Sequence, residues 1–159
     1  MSEPFKVACG QDSVTAVRYA ASGAASDGPV LILAHGAGAG QASRFMVQWA
    51  GALAERGLET VTFNFPYTEK GRKVPDAPAV LEGCYRAVVD RVAASGRGRA
   101  LFIGGKSMGG RIATQIAAAG SLEVVDGIVL LGYPLHPPGK PQQLRTAHLP
   151  TITQPMVVV

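Results

Sequence analysis

The chemistry of this chain is concentrated in Gly105-Lys106-Ser107-Met108-Gly109, which follows the apolar run Leu101-Phe102-Ile103-Gly104 and leads into a stretch with helical spacing. A G-x-S-x-G turn between a strand and a helix forces its serine into a tight backbone conformation, and the flanking glycines remove side chains that would collide with neighbouring elements. Ser107 would then stand at a helix N-terminus, where unpaired N–H groups and the helix dipole favour a developing negative charge. That is the chemistry of a nucleophile attacking an acyl carbon. A second glycine-rich turn, His35-Gly36-Ala37-Gly38, follows the apolar run Val30 to Ala34. Two backbone N–H groups hold the oxyanion in a site of this kind: that of Met108, next to the nucleophile, and one from the upstream turn, Ala37 with Gly38 as the alternative. His35 reads as a residue that fixes its turn by hydrogen bonding.

These turns need a scaffold, and the hydrophobic pattern supplies one. Phe5 to Cys9 and Val14 to Ala20 read as an opening hairpin across Gly10-Gln11-Asp12. Val30 to Ala34 is a strand buried on both faces. A helix capped by Ser43 follows, with Phe45, Met46, Trp49, Ala50 and Leu53 on one face and Gly57 at its end, so Trp49 is expected in the core. Glu59 to Phe65 is the next strand. A helix over about Ala77 to Ala94 carries Leu81, Cys84, Tyr85, Val88 and Val92 as its apolar stripe. Then come strand Ala100 to Gly104, helix Ser107 to Ala119, strand Gly127 to Leu131 and a last apolar run, Pro155 to Val159. The alternation predicts an α/β fold, a three-layer sandwich with a mostly parallel sheet, and ligands in such sheets sit at the carboxyl ends of the strands.

Composition narrows the function classes. The chain of 159 residues has a net charge of +4, but its basic residues are scattered apart from Lys70, Arg72 and Lys73, which argues against nucleic acid. That basic group follows a strand and reads as a solvated loop, with receipt of an acidic substrate as the other reading. Cys9 and Cys84 are too few and too far apart in sequence for a disulfide framework or a zinc ligand pair, so reduced thiols are expected. Met1 to Gly10 has no signal-peptide character and no run approaches a membrane span, so a cytoplasmic protein without membrane contact is the default. Two nucleotide motifs fail on counting. A phosphate loop ending in Gly105-Lys106-Ser107 would need glycine where Ala100 stands, and a dinucleotide fingerprint from Gly36 or Gly38 would need glycine at Gln41 or Ser43. No cofactor or metal is expected.

The order of strand, His-Gly-x-Gly turn, helix, strand, helix, Gly-Lys-Ser-Met-Gly-Gly elbow and then Gly132-Tyr133-Pro134-Leu135-His136-Pro137-Pro138-Gly139-Lys140-Pro141 resembles one branch of the α/β-hydrolase superfamily. That branch is similar to dienelactone hydrolases and includes a testis-expressed protein and a subunit of the NSL histone acetyltransferase complex. The resemblance implies a serine hydrolase acting on a small ester-type substrate. It also implies a triad in the order Ser, acid, His, with the acid in a Gly-x-x-Asp turn after the strand that follows the HPPGKP segment. Pro155 to Val159 reads as that strand. Residues 1–159 are therefore expected to be the N-terminal portion of one domain, lacking the last strand, acid turn and His loop, and to have little or no turnover.

Among residues already present, Asp126 precedes its strand and lies at the wrong edge, Glu82 and Asp90 lie on a helix, and Glu69 and Asp76 fall at the right edge in a mobile loop. His136 follows the Gly127 to Leu131 strand and is the one candidate base, against the plainer reading of a loop histidine held by prolines. His148 reads as structural. The other function class is a non-catalytic interaction module, against which the intact elbow argues, since a scaffold has no need of a strained serine. The valine run at 157–159 would form an exposed edge strand, so self-association is expected.

Overall fold

The computed structural model describes residues 1–23 and 27–159. Strands β1 (Ser2–Cys9) and β2 (Asp12–Tyr19) form the opening hairpin, followed by β3 (Val30–Ala34), α1 (Arg44–Glu55), β4 (Glu59–Phe63), α2 (Pro66–Glu69), α3 (Pro78–Ser95), β5 (Leu101–Lys106), α4 (Met108–Ala118), β6 (Gly127–Leu131) and β7 (Met156–Val158). The seven strands form one sheet in the order β1-β2-β4-β3-β5-β6-β7. Among the described residues, only the two pairings made by β2 are antiparallel; β3 through β7 are mutually parallel. The α/β architecture expected from the alternating pattern is the one observed.

Period-2 alternation along the buried strand β3 sorts the core into two faces. Val30, Ile32 and Ala34 pack with Leu81, Tyr85 and Val88 of α3 and Ile112 and Ile116 of α4. Leu31 and Leu33 turn the other way and pack with Met46 of α1 and Leu131 of β6. This second cluster is the smaller, and Phe102 and Val129 on the same face are only partly buried.

Several details depart from the sequence reading. Trp49 is not in the core: it lies on the outside of α1 at 36% exposure, with its ring 5.7 Å from that of Phe45. On α1 only Met46, Ala50 and Ala54 are buried. Ser43 occupies the N-cap position of α1 but its hydroxyl makes no capping bond. The strand expected to run to Phe65 ends at Phe63, because Pro66, with φ preset and no N–H to lose, opens the short helix α2.

That helix changes the reading of Glu69, which is an anchor instead of a residue in a loose loop. Its carboxylate accepts from Lys6 Nζ at 2.8 Å, Thr15 Oγ1 at 2.6 Å and Asn64 Nδ2 at 3.1 Å, tying α2 to the hairpin. Burial alone would raise its pKa, but these hydrogen bonds outweigh burial and hold it at about 2. A depressed carboxylate pKa contributes stability that is present above the unfolded value near 4.5 and is lost as pH falls through about 2. Glu69→Gln is therefore expected to flatten the acid limb of the stability curve across that window, read by denaturant unfolding at a series of pH values.

Among the described residues strand β7 pairs only with β6, and Met156, Val157 and Val158 are all exposed, the valines at 59% and 66%. An apolar edge strand offers free N–H and C=O groups to another chain. The 159-residue chain is expected to self-associate in sedimentation velocity at micromolar concentration, and Val157→Lys to suppress the association. A clean monomer for both chains would show that the edge does not pair.

Candidate active site

At the carboxyl end of β5 the chain turns through Ser107 directly into α4. Ser107 has φ 51° and ψ −114°, a left-handed conformation that a residue with a Cβ adopts only when its surroundings enforce it. Those surroundings are backbone. A Cβ on Gly105 would lie 2.5 Å from the Gly109 carbonyl carbon and 2.6 Å from the Ala34 carbonyl oxygen. One on Gly109 would lie 2.6 Å from the Ala34 carbonyl carbon and 2.7 Å from the His35 carbonyl oxygen. The end of β3 and the start of α4 thus meet at a separation that only glycine permits. If the conformation is held for function, Ser107→Gly should relieve it and stabilise the fold by ~1 kcal/mol, roughly 2–4 °C in Tm. A variant less stable than the parent would show that the serine side chain, not its backbone, was being accommodated.

The His35–Gly38 turn lies beside this elbow: a Cβ on Gly36 would be 3.5 Å from the Lys106 carbonyl and 3.8 Å from Ser107 Cβ. Ala37, Ser107, Met108 and His136 line one cavity of about 510 Å³, with Leu81, Arg111 and Arg145 among its other walls. Gly38 lines an adjoining depression with Ala37, Tyr67, Arg72 and Lys73. A different hollow, lined by Arg97, Arg99 and Asp126, is larger at about 570 Å³ but opens at the amino ends of the strands, away from Ser107.

His35 is fully buried and both its ring nitrogens are occupied. The Phe65 N–H donates to Nε2 at 3.2 Å, which places the ring proton on Nδ1, 2.8 Å from the Gly36 carbonyl. Burial pushes its pKa down, against the smaller opposing effect of that carbonyl, so the ring is a neutral brace for the turn and not a base. Tyr67 braces the turn from outside by donating its hydroxyl to the Ala37 carbonyl at 2.9 Å. Below the elbow, the buried Tyr85 hydroxyl donates to the Gly104 carbonyl at 2.6 Å and accepts from the Gly104 N–H at 2.9 Å.

His136 reaches the cavity wall from an exposed loop, its Nδ1 2.8 Å from the Pro137 carbonyl. His148 Nε2 meets Thr114 Oγ1 of α4 at 2.9 Å, in keeping with a structural role. Asp126 is at the opposite edge, accepting from the Leu101 N–H at 2.8 Å. Asp76 lines the Ser107 cavity, but one carboxylate oxygen is 2.6 Å from Arg72. Among the described residues, Ser107 Oγ has no hydrogen bond to a carboxylate or imidazole. Of the basic loop, Lys70 pairs with Asp12 and Arg72 with Asp76, the solvated-loop behaviour expected of them. The positive charge inside the cavity comes instead from Arg111 and Arg145; burial and the like charge of Arg145 lower the Arg111 pKa, and Arg111 Nε has no hydrogen-bond partner. No group of metal-binding side chains occurs among the described residues, and none of their helices is long and apolar enough to cross a membrane.

A mostly parallel sheet, an elbow serine with positive φ and a glycine turn on the adjacent strand end together define a class, the serine-elbow α/β proteins. Residues 27–159 match the family described as alpha/beta hydrolase domain, and the chain belongs to that family. Among solved structures it is similar to a dienelactone hydrolase from Anabaena variabilis, at 20% identity and TM-score 0.79 over 99% of this chain and 72% of that one. It is also similar to an alpha-beta serine hydrolase homologue from Coxiella burnetii, at 21% identity and TM-score 0.79 over 98% and 72%. Similarity to Est1E from Butyrivibrio proteoclasticus, at 18% identity and TM-score 0.70, covers 82% of this chain and 50% of that one. The chain thus spans from half to about seven-tenths of the length of these structures.

Proposed function

We propose that this chain carries the nucleophile and oxyanion hole of a serine esterase of the dienelactone-hydrolase-like branch, acting on small ester-type substrates. The observation that carries the reading is the positive φ of Ser107 at the mouth of a cavity it shares with Ala37 and Met108. Ser107 Oγ attacks the acyl carbon, the Met108 N–H and that of Ala37, or alternatively Gly38, hold the oxyanion, and the alcohol departs to leave an acyl-enzyme. Est1E has been seen with ferulic acid bound, an acid with an aromatic acyl group. The Arg111 and Arg145 walls favour acyl groups that carry a negative charge.

His136 is the only one of the three histidines that lines this cavity. Its Nδ1–H donates to Pro137, which leaves the Nε2 lone pair free to take a proton. It is exposed and has no carboxylate to orient it among the described residues, so residues 1–159 are expected to be a feeble catalyst. The test is hydrolysis of p-nitrophenyl acetate and butyrate at high protein concentration. Slow nitrophenol release that disappears in Ser107→Ala supports the reading. Release that is unchanged in that variant overturns it and favours a non-catalytic interaction module.

A further inference from the structure

Cys9 and Cys84 are 75 residues apart in the chain, yet their sulfurs lie 2.9 Å apart. Cys9 ends β1 and is partly exposed; Cys84 is buried on the inner face of α3. Cys9 is therefore the less buried of the two sulfur-bearing residues, with Cys84 directly beside it. We propose that Cys9 and Cys84 form a reversible disulfide that staples the hairpin edge of the sheet to α3, made by exchange with a small-molecule disulfide and undone by its thiol.

The chemistry runs in one direction through the pair. The sulfur–sulfur contact lowers the Cys9 pKa against the opposing effects of burial and Asp12, and together with burial it raises that of Cys84. Cys9, the less buried of the two, is the attacking thiolate. Its sulfur bonds to one sulfur of the reagent R–S–S–R and the other leaves as RS⁻. Cys84 then loses its proton and attacks Cys9 Sγ, expelling the second RS, which takes that proton and leaves as RSH. Two protein thiols are oxidised and one reagent disulfide is reduced to two thiols.

The staple would bear on the Ser107 cavity through α3. Cys84 immediately precedes Tyr85, whose hydroxyl holds Gly104 at the base of the elbow, and lies three residues after Leu81 in the cavity wall. Closing a loop of this length restricts the unfolded chain more than the folded one, so the oxidised form should melt higher, by roughly 5–10 °C. The inference does not depend on whether Ser107 is catalytic.

The experiment uses the unmodified chain, incubated folded in buffers of fixed glutathione disulfide to glutathione ratio, quenched with acid and read by intact mass and peptide mapping. The expected result is a loss of about two mass units with a Cys9–Cys84 cross-linked peptide, reversed by excess glutathione, and the rise in Tm. Cys84→Ser should stop at a glutathione adduct on Cys9, and Cys9→Ser should leave Cys84 unmodified. A parent chain that accumulates the Cys9 adduct without cross-linking, or that shows both thiols unreactive while folded, overturns the proposal.

Discussion

Gly109→Ala should cost the fold ~3–5 kcal/mol and lower Tm by about 10 °C. The added carbon would press on the backbone of Ala34 and His35, at 2.6 and 2.7 Å, where no side chain can rotate away. Relief requires α4 to withdraw from the end of β3, and that movement would also pull the Met108 N–H away from the His35–Gly38 turn. Gly51→Ala in α1 is the matched control, since nothing lies within 4 Å of its Cβ position. In a helix interior that change should stabilise by ~0.5–1 kcal/mol. Thermal unfolding of the two variants checks both signs. A Gly109→Ala protein within a degree or two of the parent would mean that the elbow is not closed as described.

The largest functional effect is expected at Ser107. Ser107→Ala keeps the backbone and removes the proposed nucleophile, so ester turnover should fall to the buffer rate. His136→Ala should change the same turnover by less than about threefold, because an exposed imidazole held only by a proline carbonyl adds little to the oxyanion hole and binding alone. Steady-state rates on one aryl ester separate these cases. Equal loss in both variants would assign the base to His136 and place more of the machinery within residues 1–159.

The elbow was legible because its sequence pattern is local: an apolar run, two glycines bracketing the serine, then helical spacing, all of which β5, Ser107 and α4 reproduce. Strands β3 and β6 were legible for the same reason, and their limits match the apolar runs. What the pattern could not reveal were contacts set by the crossing of distant elements. Cys9 and Cys84 meet because β1 passes across α3, a fact absent from their spacing. Arg145 reaches the Ser107 cavity along a loop with no periodicity to read. Tyr85 was placed on the right face of its helix, and one further step was available: a buried phenol must find a hydrogen-bond partner, which here is the strand that carries the elbow. Trp49 failed in the opposite sense, since its helical spacing was correct but spacing alone does not give the width of the surface a helix covers.

The central claim is that Ser107 is a nucleophile, and covalent capture tests it most directly. The folded chain is incubated with an alkyl fluorophosphonate, digested, and the modified residue located by mass spectrometry. An adduct on Ser107 that forms ahead of any on the chain's other serines, and that vanishes when the chain is unfolded first, is the expected result. Adducts spread evenly over exposed serines, or none on Ser107 while others react, would contradict it and leave the strained turn as architecture alone.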